Sequence, residues 1–422
     1  MLYVSTRGGG GAVTFSQALE QGLAPDKGLF VPQTWPKLND VSAAPLIDVA
    51  ERVIGPFFEG DALSGQLRVI LEDAFTFPAP VTRLEENLGV IELFHGPTAA
   101  FKDFGARFLA ACLARLPRDP ARPLQTLVAT SGDTGGAVAA AFHNRPGVKV
   151  TVLYPKGLVS PTQERQLTCW DNNVSTLAVR GTFDECQRLV KEAFGDATLR
   201  QRFELSSANS INIGRLLPQM TYFAASSAAT RDGKVNIVIP SGNLGHATAC
   251  VWAKKLGFPI GEIVLAHNAN ATMSDYLKTG EWKPRASVAT LASAMDVGNP
   301  SNAERLRHLF PDLAGIRQAV TAYVIDDAEI REGISWGWNQ YGQMWCPHTA
   351  AGAQAYRRRK AEGAEGAWLI ASTAHPAKFS EIVEPIIGRP VPVPASLQAL
   401  LNRPVSVREI DPTLAALVGA IA

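Results

Sequence analysis

The chain has 422 residues, which is too long for one small hydrophobic core and, at roughly 100–200 residues per domain, predicts two or three domains. Hydrophobic residues make up 46% of the sequence and charged residues 19%, as in an ordinary soluble globular protein. The formal charge of +1 gives no electrostatic argument for binding nucleic acid or anionic membranes, and no apolar run approaches the ~20 residues that span a bilayer.

The N-terminal region, residues 1–90, is punctuated by Gly and Pro and indicates a separate unit, with helices predicted at residues 14–23 and 45–57. The first residues lack the charged-then-apolar pattern of a signal peptide. The five cysteines are scattered, odd in number and without metal-ligand spacing. We therefore expect reduced cysteines that mostly pack in the core, no metal site and a cytoplasmic location.

A single lysine, Lys102, comes next between Phe101 and Asp103, after a His-Gly-Pro turn and before an alanine-rich helix predicted at residues 105–114. These neighbours indicate that the lysine points into the protein. Loss of solvation then lowers the pKa of its amine and allows the amine to attack a carbonyl. A lysine that forms a Schiff base with an aldehyde cofactor needs this property. An ordinary helix start is the alternative.

From residue 125 onward, short apolar runs alternate with helical segments. Strands that are continuous apolar runs, each followed by a helix, indicate parallel sheets covered on both faces, so we expect an α/β fold. Strands are predicted at residues 127–129, 148–154, 175–179, 235–239, 263–266, 322–325 and 367–371, and helices at 161–168 and after two glycine-rich turns, ending near residues 143 and 256.

The second glycine-rich turn reads Ser-Gly-Asn-Leu-Gly-His at residues 241–246. Its backbone N–H groups should converge at the positive end of a helix dipole, a geometry that binds phosphate. A dinucleotide is disfavoured because the Gly-x-Gly-x-x-Gly spacing is absent and no acidic residue follows the next strand. A monophosphate fits better. The alternative is a plain tight turn that needs Gly for a positive φ.

The first turn, residues 131–136, carries Ser131, Asp133 and Thr134. Ser131 or Asp133 can cap the following helix, or the turn can bind a substrate carboxylate, and the motif alone leaves both open. In a third cluster, Asn209 and Ser210 supply neutral donors and Arg215 a bidentate charged donor at the head of a predicted helix. This suits a phosphate carried by the substrate. An N-cap followed by an ordinary surface arginine is the alternative.

Together, one phosphate loop, one carboxylate loop, one further anion site and one activated lysine describe a pyridoxal phosphate enzyme that acts on a phosphorylated amino acid. Several segments also resemble, in order and over nearly the whole chain, the signatures of the threonine synthase family, in its bacterial and fungal branch. They are His-Gly-Pro-Thr at 95–98, Phe-Lys-Asp at 101–103, Thr-Ser-Gly-Asp-Thr-Gly at 130–135, Ser-Gly-Asn-Leu-Gly at 241–245 and Asp-Val-Gly-Asn-Pro-Ser-Asn at 296–302, with residues 3–7 and 22–32 resembling the family's N-terminal domain.

The resemblance implies a fold-type-II pyridoxal phosphate enzyme, similar to the tryptophan synthase β chain, with two parallel-sheet α/β domains and an extra N-terminal domain. We expect an N-terminal domain at 1–90, a catalytic region at 91–385 with a smaller mobile part at about 122–180, and a C-terminal tail at 386–422 that packs on the catalytic region. The implied reaction converts O-phospho-L-homoserine and water to L-threonine and phosphate, by γ-elimination and then addition of water at Cβ. We expect a monomer or a weak homodimer.

The resemblance also implies residue roles. Lys102 would be the Schiff-base lysine and proton shuttle, Asp133 would lie near the cofactor's 3′ oxygen, and Thr373 would hydrogen-bond the pyridine nitrogen. The cofactor's phosphate would be held by Gly242, Asn243, Leu244, Gly245 and His246. The substrate's carboxylate and phosphate would be received by Ser131, Thr134, Asn209, Ser210 and Arg215, with the division between them left open.

Three positions depart from the family pattern: His246 replaces Asn or Asp, and Ala271 and Cys346 each replace an acid. Ala271 and Cys346 lie outside the lysine and phosphate loops, so we expect activity to survive. The nearest alternatives are a relative that cleaves phosphohomoserine to a keto acid and a serine/threonine dehydratase. Asn209 and Arg215 argue against the dehydratase, whose substrates carry no phosphate. A non-catalytic cofactor-binding protein is disfavoured because the lysine and both anion sites are intact.

Overall fold

The computed structural model describes residues 1–119, 121–230 and 233–421. Within these residues the strands are β1 Tyr3–Ser5, β2 Phe30–Pro32, β3 Val81–Glu85, β4 Leu88–Glu92, β5 Leu124–Ala129, β6 Val148–Pro155, β7 Val174–Val179, β8 Glu204–Ser207, β9 Val235–Pro240, β10 Ile260–His267, β11 Thr321–Val324, β12 Ala367–Ser372 and β13 Arg408–Ile410. The helices are α1 Phe15–Gln21, α2 Leu46–Ile54, α3 Leu67–Ala74, α4 Lys102–Leu113, α5 Asp133–Phe142, α6 Pro161–Thr168, α7 Phe183–Gly195, α8 Ala197–Arg202, α9 Ile213–Leu216, α10 Gln219–Ala228, α11 Gly245–Lys255, α12 Thr272–Thr279, α13 Ala303–Leu309, α14 Leu313–Ala319, α15 Asp327–Tyr341, α16 Pro347–Ala361, α17 Ser380–Ile387, α18 Ala395–Leu401 and α19 Leu414–Ile421.

Two larger sheets organise the molecule. The six-stranded sheet has the order β11-β10-β9-β12-β4-β3 and is parallel except for the hairpin between β3 and β4. The five-stranded sheet, β13-β7-β6-β5-β8, is parallel throughout. Central strands such as β5 are buried along their whole length because helices cover both faces. The expected α/β fold with two parallel-sheet domains is confirmed.

The strands predicted from residue 125 onward are all observed, with ends that differ by at most three residues from the prediction. Strands β8 and β13 are missing from the prediction because exposed charged residues, Glu204 in β8 and both Arg408 and Glu409 in β13, interrupt the apolar run. Parallel pairing with β5 and β7 holds them in the sheet.

The N-terminal unit combines the antiparallel pair β1–β2 with α1, α2 and α3. Phe58 packs on Phe15 within this unit, with ring centroids 4.4 Å apart, and on Phe108 of α4 at 6.0 Å, so its core continues into the catalytic region. The hairpin from Val81 to Glu92 belongs to the six-stranded sheet, where β4 pairs with β12. We therefore place the end of the unit before Val81, ahead of the expected boundary near residue 90.

The C-terminal segment joins the smaller sheet. Strand β13 pairs with β7, and α19 packs against α7. The five-stranded sheet therefore extends beyond the expected range of about 122–180, since it also includes β8 and β13. All five cysteines are buried and unpaired. Among the described residues, no helix combines the length and the apolar character that crossing a membrane requires.

The topology explains why distant motifs meet. The lysine segment follows β4, the Asp133 turn follows β5, the turn at 241–246 follows β9 and Thr373 follows β12. In parallel sheets, the carboxyl ends of the strands share one edge, and ligands bind outside that edge.

Candidate active site

Lys102 is the first residue of α4, so this helix begins three residues earlier than predicted. The side chain is only 13% exposed, and its Nζ lies 3.8 Å from Oδ2 of Asp133. Burial lowers the pKa of Lys102 to about 8; Asp133 opposes this shift, and the charges of Lys378 and Arg215 reinforce it. The structure thus places the lysine inside the protein, with an amine that loses its proton more easily than an exposed lysine does.

The backbone around the lysine is held from two sides. The N–H of Phe101 donates to the carbonyl of Thr373, at 2.9 Å, which ties the segment to the end of β12. The carboxylate of Asp103 accepts from both the N–H (2.9 Å) and the hydroxyl (2.6 Å) of Thr98. Burial raises the pKa of Asp103 to about 6, although the Thr98 hydrogen bonds oppose this. A Cβ on Gly96 would lie 2.4 Å from Asp103, so the turn requires glycine.

The predicted phosphate loop connects β9 to α11. The N–H groups of residues 242–246 find no acceptor among the described residues. Leu244, not a glycine, has the positive φ of 61°, so the alternative in which glycine serves a positive φ is wrong. Gly242 is required for space, because a Cβ there would lie 2.7 Å from Cα of Met295. The loop therefore presents free donors at the positive end of α11.

Two side chains of this loop point to protein groups. Asn243 accepts from the N–H of Ser301 at 2.6 Å and donates to the hydroxyl of Ser210 at 2.7 Å. The ring of His246 stacks on Phe101 with centroids 4.3 Å apart, and both its nitrogens are buried without a partner among the described residues. Burial lowers the pKa of His246 to about 3. His246 thus packs the phosphate loop against the lysine segment.

The turn after β5 is organised by Thr130. Its hydroxyl accepts from the N–H groups of Gly132 (3.0 Å) and Gly135 (2.8 Å). Neither Ser131 nor Asp133 caps α5, so that alternative is wrong; the Thr130 hydroxyl accepts from the N–H of Gly135 in its first turn. The side chains of Ser131 and Asp133 therefore make no hydrogen bond to the N–H groups at the start of α5.

Asp133 is the carboxylate at the centre of the site. Its Oδ1 lies 2.7 Å from Nζ of Lys378 and accepts from Nε2 of Gln163 at 3.0 Å, while Oδ2 faces Lys102. Burial acts to raise the pKa of Asp133, but the charges of Lys378 and Lys102 outweigh burial and hold the pKa well below its usual range. Asp133 is thus an anion between two lysines.

The third predicted cluster lies where β8 leads into α9, a single turn. Asn212, not Asn209, caps this turn by accepting from the N–H of Gly214 at 3.0 Å. Asn209 donates to the carbonyl of Ala129 at 2.8 Å and so fixes the cluster to the end of β5. Ser131 and Thr134 also follow the end of β5, shortly after Ala129 in the sequence. Both are half-buried.

Arg215 is buried, with 2% of the residue exposed, so the alternative of an ordinary surface arginine is wrong. Its guanidinium donates to the carbonyl of Ala208, and no carboxylate of the described residues forms an ion pair with it. Burial lowers the pKa of Arg215 to about 10. A Cβ on Gly105 would lie 3.0 Å from its Nε, so the guanidinium packs on the helix that begins at Lys102. A buried, unpaired cation beside the lysine is suited to an anionic ligand.

Two departures from the family pattern lie at helix starts. Cys346 precedes α16, and its thiol accepts from the N–H of Thr349 at 3.5 Å. Ala271 precedes α12, whose start has no side-chain cap among the described residues. The changes therefore alter helix caps rather than the lysine or phosphate segments. Thr373, whose carbonyl accepts the hydrogen bond from the N–H of Phe101, is buried at the end of β12.

Sequence reasoning missed two buried cations. Lys378 stands between Ala377 and Phe379, and an aromatic neighbour was also part of the signal at Lys102, so a signal for it was present. Arg305 carried no comparable signal. It donates to Asn302 Oδ1 at 2.6 Å and to three carbonyls, those of Phe30 (3.1 Å), Ser210 (3.1 Å) and Ile211 (2.7 Å). Arg305 thereby joins the N-terminal unit to the loop that carries Ser210.

These residues form one buried polar site at the facing edges of the two sheets. It offers an amine, a carboxylate between two cations, a row of free N–H donors and an unpaired guanidinium. Such a set can bind two separate anionic groups of a ligand, and the amine can take up and return protons.

Three family models match the chain: "Threonine synthase N terminus" at residues 2–75, "Pyridoxal-phosphate dependent enzyme" at 78–373 and "Threonine synthase, C-terminal" at 349–421. The threonine synthase of Haemophilus influenzae is 42% identical over 94% of this chain and 94% of its own. A crystal structure of threonine synthase from Escherichia coli superposes with a TM-score of 0.91 and 37% identity, covering 100% of this chain and 99% of the other. A pyridoxal phosphate-bound threonine synthase from Brucella melitensis gives a TM-score of 0.89 and 32% identity over 99% and 98% of the two chains.

Proposed function

The chain belongs to the threonine synthase family, and we propose that it converts O-phospho-L-homoserine and water to L-threonine and phosphate at the buried polar site around Lys102. It is accordingly a pyridoxal phosphate-dependent lyase of threonine biosynthesis. The observation that carries the placement is the combination of a buried amine with a lowered pKa and a neighbouring loop of unpaired N–H groups.

The residues present fit pyridoxal phosphate. The N–H groups of residues 242–246 can donate to a phosphate without breaking an existing hydrogen bond, and Gly242 keeps side-chain atoms out of the loop. Lys102 offers the amine for covalent attachment. The hydroxyl of Thr373 is neutral, so it need not force a proton onto the ring nitrogen. When bound, the cofactor supplies an electron sink for negative charge at the substrate's Cα and Cβ.

Lys102 moves the protons of the reaction in this proposal. Once its amine is released, its pKa of about 8 lies near neutral pH, so the amine can both take a proton and return one. It takes the proton from Cα of the substrate, and a second proton must leave Cβ before phosphate departs from Cγ. A flexible lysine can reach these neighbouring atoms in turn. Asp133 holds a negative charge beside the amine, and we propose that it lies near the cofactor's 3′ oxygen.

Arg215 binds the substrate's phosphate together with Asn209 and Ser210, and Ser131 and Thr134 bind its carboxylate. The support is that Arg215 is a buried cation without a carboxylate partner among the described residues, and that the Thr130 hydrogen bonds leave the Ser131 side chain unused by the helix end. This division places the two substrate anions at the ends of two neighbouring strands, β8 and β5.

Product analysis after incubation with O-phospho-L-homoserine tests the function. Threonine and phosphate in equal amounts are expected. Formation of 2-oxobutanoate in place of threonine would instead assign the keto-acid-forming lyase, and turnover of unphosphorylated threonine alone would assign a dehydratase. The Lys102→Ala variant is the control for background hydrolysis.

We also propose that the five-stranded unit moves toward the six-stranded sheet when substrate binds. Asp133 reaches across from β5 to the two lysines of the other sheet, and these polar contacts can break and re-form. Closure of this kind protects reactive species from water. Crystals with and without a substrate analogue should differ in the position of residues 131–154 relative to β9 and β12; identical positions would refute the movement.

A monomer or weak homodimer is the assembly we propose. The large apolar residues that are more than 40% exposed are single aliphatic side chains spread along the sequence: Leu2, Val69, Val81, Leu158, Val288, Val393, Val405 and Val407. Light scattering after size exclusion tests this, and a concentration-independent dimer would contradict it.

A further inference from the structure

A second buried lysine, Lys378, lies in the site and has no part in the reaction as derived above. It belongs to the short 3-10 turn Pro376–Phe379 that follows β12, and its side chain is fully buried. Its Nζ lies 2.7 Å from Oδ1 of Asp133 and 3.0 Å from the carbonyl oxygen of Thr98. A buried ammonium group is costly unless it is paired, and Lys378 has both an anion and a carbonyl at hydrogen-bond distance.

One carboxylate therefore serves two lysines, and it does so unequally. Both lysines come from the six-stranded sheet, Lys102 after β4 and Lys378 after β12, whereas Asp133 comes from the end of β5 in the other sheet. The Lys102 Nζ is 3.8 Å from the carboxylate, beyond the usual hydrogen-bond range, while the Lys378 Nζ is within it. The amide of Gln163 also donates to Oδ1, at 3.0 Å, and so holds the carboxylate turned toward Lys378.

We propose that Lys378 is a positioning residue that keeps the Asp133 carboxylate as its own ion-pair partner and thereby leaves Lys102 as the lysine that gives up its proton and attacks the cofactor's aldehyde. The inference deepens the proposed function, since it rests on Lys102 being the attachment site. It accounts for the choice between two lysines that both lie inside the protein and share one carboxylate.

The other charged and titratable groups around Lys102 cannot replace this arrangement. Arg215 on α9 is a further cation, and His246 on α11 has its pKa lowered by burial and so stays neutral. His348 on α16 likewise has a pKa lowered, by burial, to about 4. Asp103, on the same helix as Lys102, accepts hydrogen bonds from Thr98 at both of its carboxylate oxygens. Asp133 is thus the anion that the two lysines share.

Removing the charge of Lys378 should make Lys102 harder to deprotonate. In Lys378→Met, Asp133 loses its nearer partner and pairs with Lys102, and a repelling cation disappears; both changes raise the pKa of Lys102. An opposite charge at 4–6 Å shifts a pKa by about 1–3 units, so the neutral fraction of Lys102 near pH 7.5 should fall at least about eightfold. Lys378→Arg keeps the charge and should retain the wild-type behaviour within about threefold.

The experiment measures lysine reactivity in the full chain cleared of cofactor. Competitive acetylation with acetic anhydride over pH 6–11, read by peptide mass spectrometry, gives the titration of Lys102 and Lys378 separately. The rate of absorbance change on adding pyridoxal phosphate gives an independent profile. In Lys378→Met both profiles for Lys102 should move to higher pH, and in Lys378→Met/Asp133→Asn they should return toward the wild type because the unpaired anion is gone.

An unchanged Lys102 profile in folded Lys378→Met, checked by circular dichroism, would overturn the proposal. If that variant does not fold, the wild-type labelling decides: acetylation of Lys378 at lower pH than Lys102 would overturn the proposal, and the reverse order supports it. None of these readouts needs turnover. A chain that shows the expected profiles but makes no threonine would therefore refute the proposed function and leave the role of Lys378 intact.

Discussion

The two sheets bring different chemistry to the same site. The six-stranded sheet contributes the two lysines, Lys102 and Lys378, and the free N–H groups of residues 242–246. The five-stranded sheet contributes one carboxylate, Asp133, hydroxyl groups in the turn after β5, and the Arg215 guanidinium just beyond β8. The first set suits a cofactor that stays bound, and the second suits a substrate that comes and goes. Changes on the first side should therefore affect cofactor retention, and changes on the second, apart from those at Asp133, should affect substrate alone.

The largest effect should come from Lys102→Ala on the cofactor side. Loss of a proton-transferring group costs about 10²–10⁴-fold in rate, and loss of the amine also removes the attachment point. Borohydride reduction of the wild-type holoenzyme should fix the cofactor to the peptide that contains Lys102, and the variant should not be labelled. Cofactor fixed instead to the peptide containing Lys378 would reverse the roles that we assign to the two lysines.

Arg215→Gln should act on the substrate side. A charge-assisted hydrogen bond contributes about 1.5–3 kcal/mol, so kcat/KM for phosphohomoserine should fall about 10- to 150-fold while the cofactor spectrum stays intact. Binding of unphosphorylated threonine should change far less. Equal loss of both ligands, or loss of cofactor, would make Arg215 structural and remove the main support for a phosphorylated substrate.

Arg305→Gln is the matched control, because Arg305 is also a buried arginine but gives its donors to four protein acceptors. We expect it to lower the thermal midpoint of the cofactor-free chain. Among the described residues, the Arg215 guanidinium donates only to the carbonyl of Ala208, so Arg215→Gln should lower that midpoint less than Arg305→Gln does.

Gly242→Ala tests whether the phosphate loop needs its close backbone approach. The added Cβ would lie 2.7 Å from Cα of Met295, a backbone atom that cannot turn aside. Overpacking of this kind costs about 1–3 kcal/mol, which we expect as about 5- to 150-fold weaker cofactor binding in equilibrium titrations. Gly136→Ala is the control on the other sheet, since its Cβ would lie 3.4 Å from Cβ and 3.9 Å from the carbonyl oxygen of Gln166, which are tolerable contact distances. Equal effects of the two variants would contradict the assignment.

The sequence predicted the parallel strands and the individual motifs, because apolar runs and glycine-rich turns are local signals. Lys102 could be singled out by its apolar neighbours, and the same rule applied to Lys378 would have found it. The pairing of the two lysines with one carboxylate could not be predicted, since it depends on how two sheets face each other. Helix capping could not be predicted either: Thr130, rather than Ser131 or Asp133, accepts from an N–H in the first turn of α5, and Asn212 caps α9. These side chains compete for the same N–H groups, and only the backbone geometry decides between them.

His246→Phe should have the smallest effect and separates the backbone of the phosphate loop from its side chain. Because burial lowers the folded-state pKa of His246 to about 3, the unfolded chain binds a proton below about pH 6.5 that the folded chain does not. This histidine therefore makes the fold less stable as pH falls from about 6.5 toward 3, by up to about 1.4 kcal/mol per pH unit. Phenylalanine keeps the stack on Phe101 and removes the titration.

Urea unfolding of the cofactor-free chain gives the free energy of unfolding of His246→Phe minus that of the wild type. This difference should be about 1.4 kcal/mol larger at pH 5.5 than at pH 7.5. Its affinity for pyridoxal phosphate at pH 7.5 should match that of the wild type, since the loop binds phosphate through N–H groups that the substitution leaves in place. Parallel stability curves for the two proteins would mean that the histidine titrates normally in the fold. A large loss of cofactor affinity would mean that its ring, and not only its backbone, belongs to the cofactor side of the site.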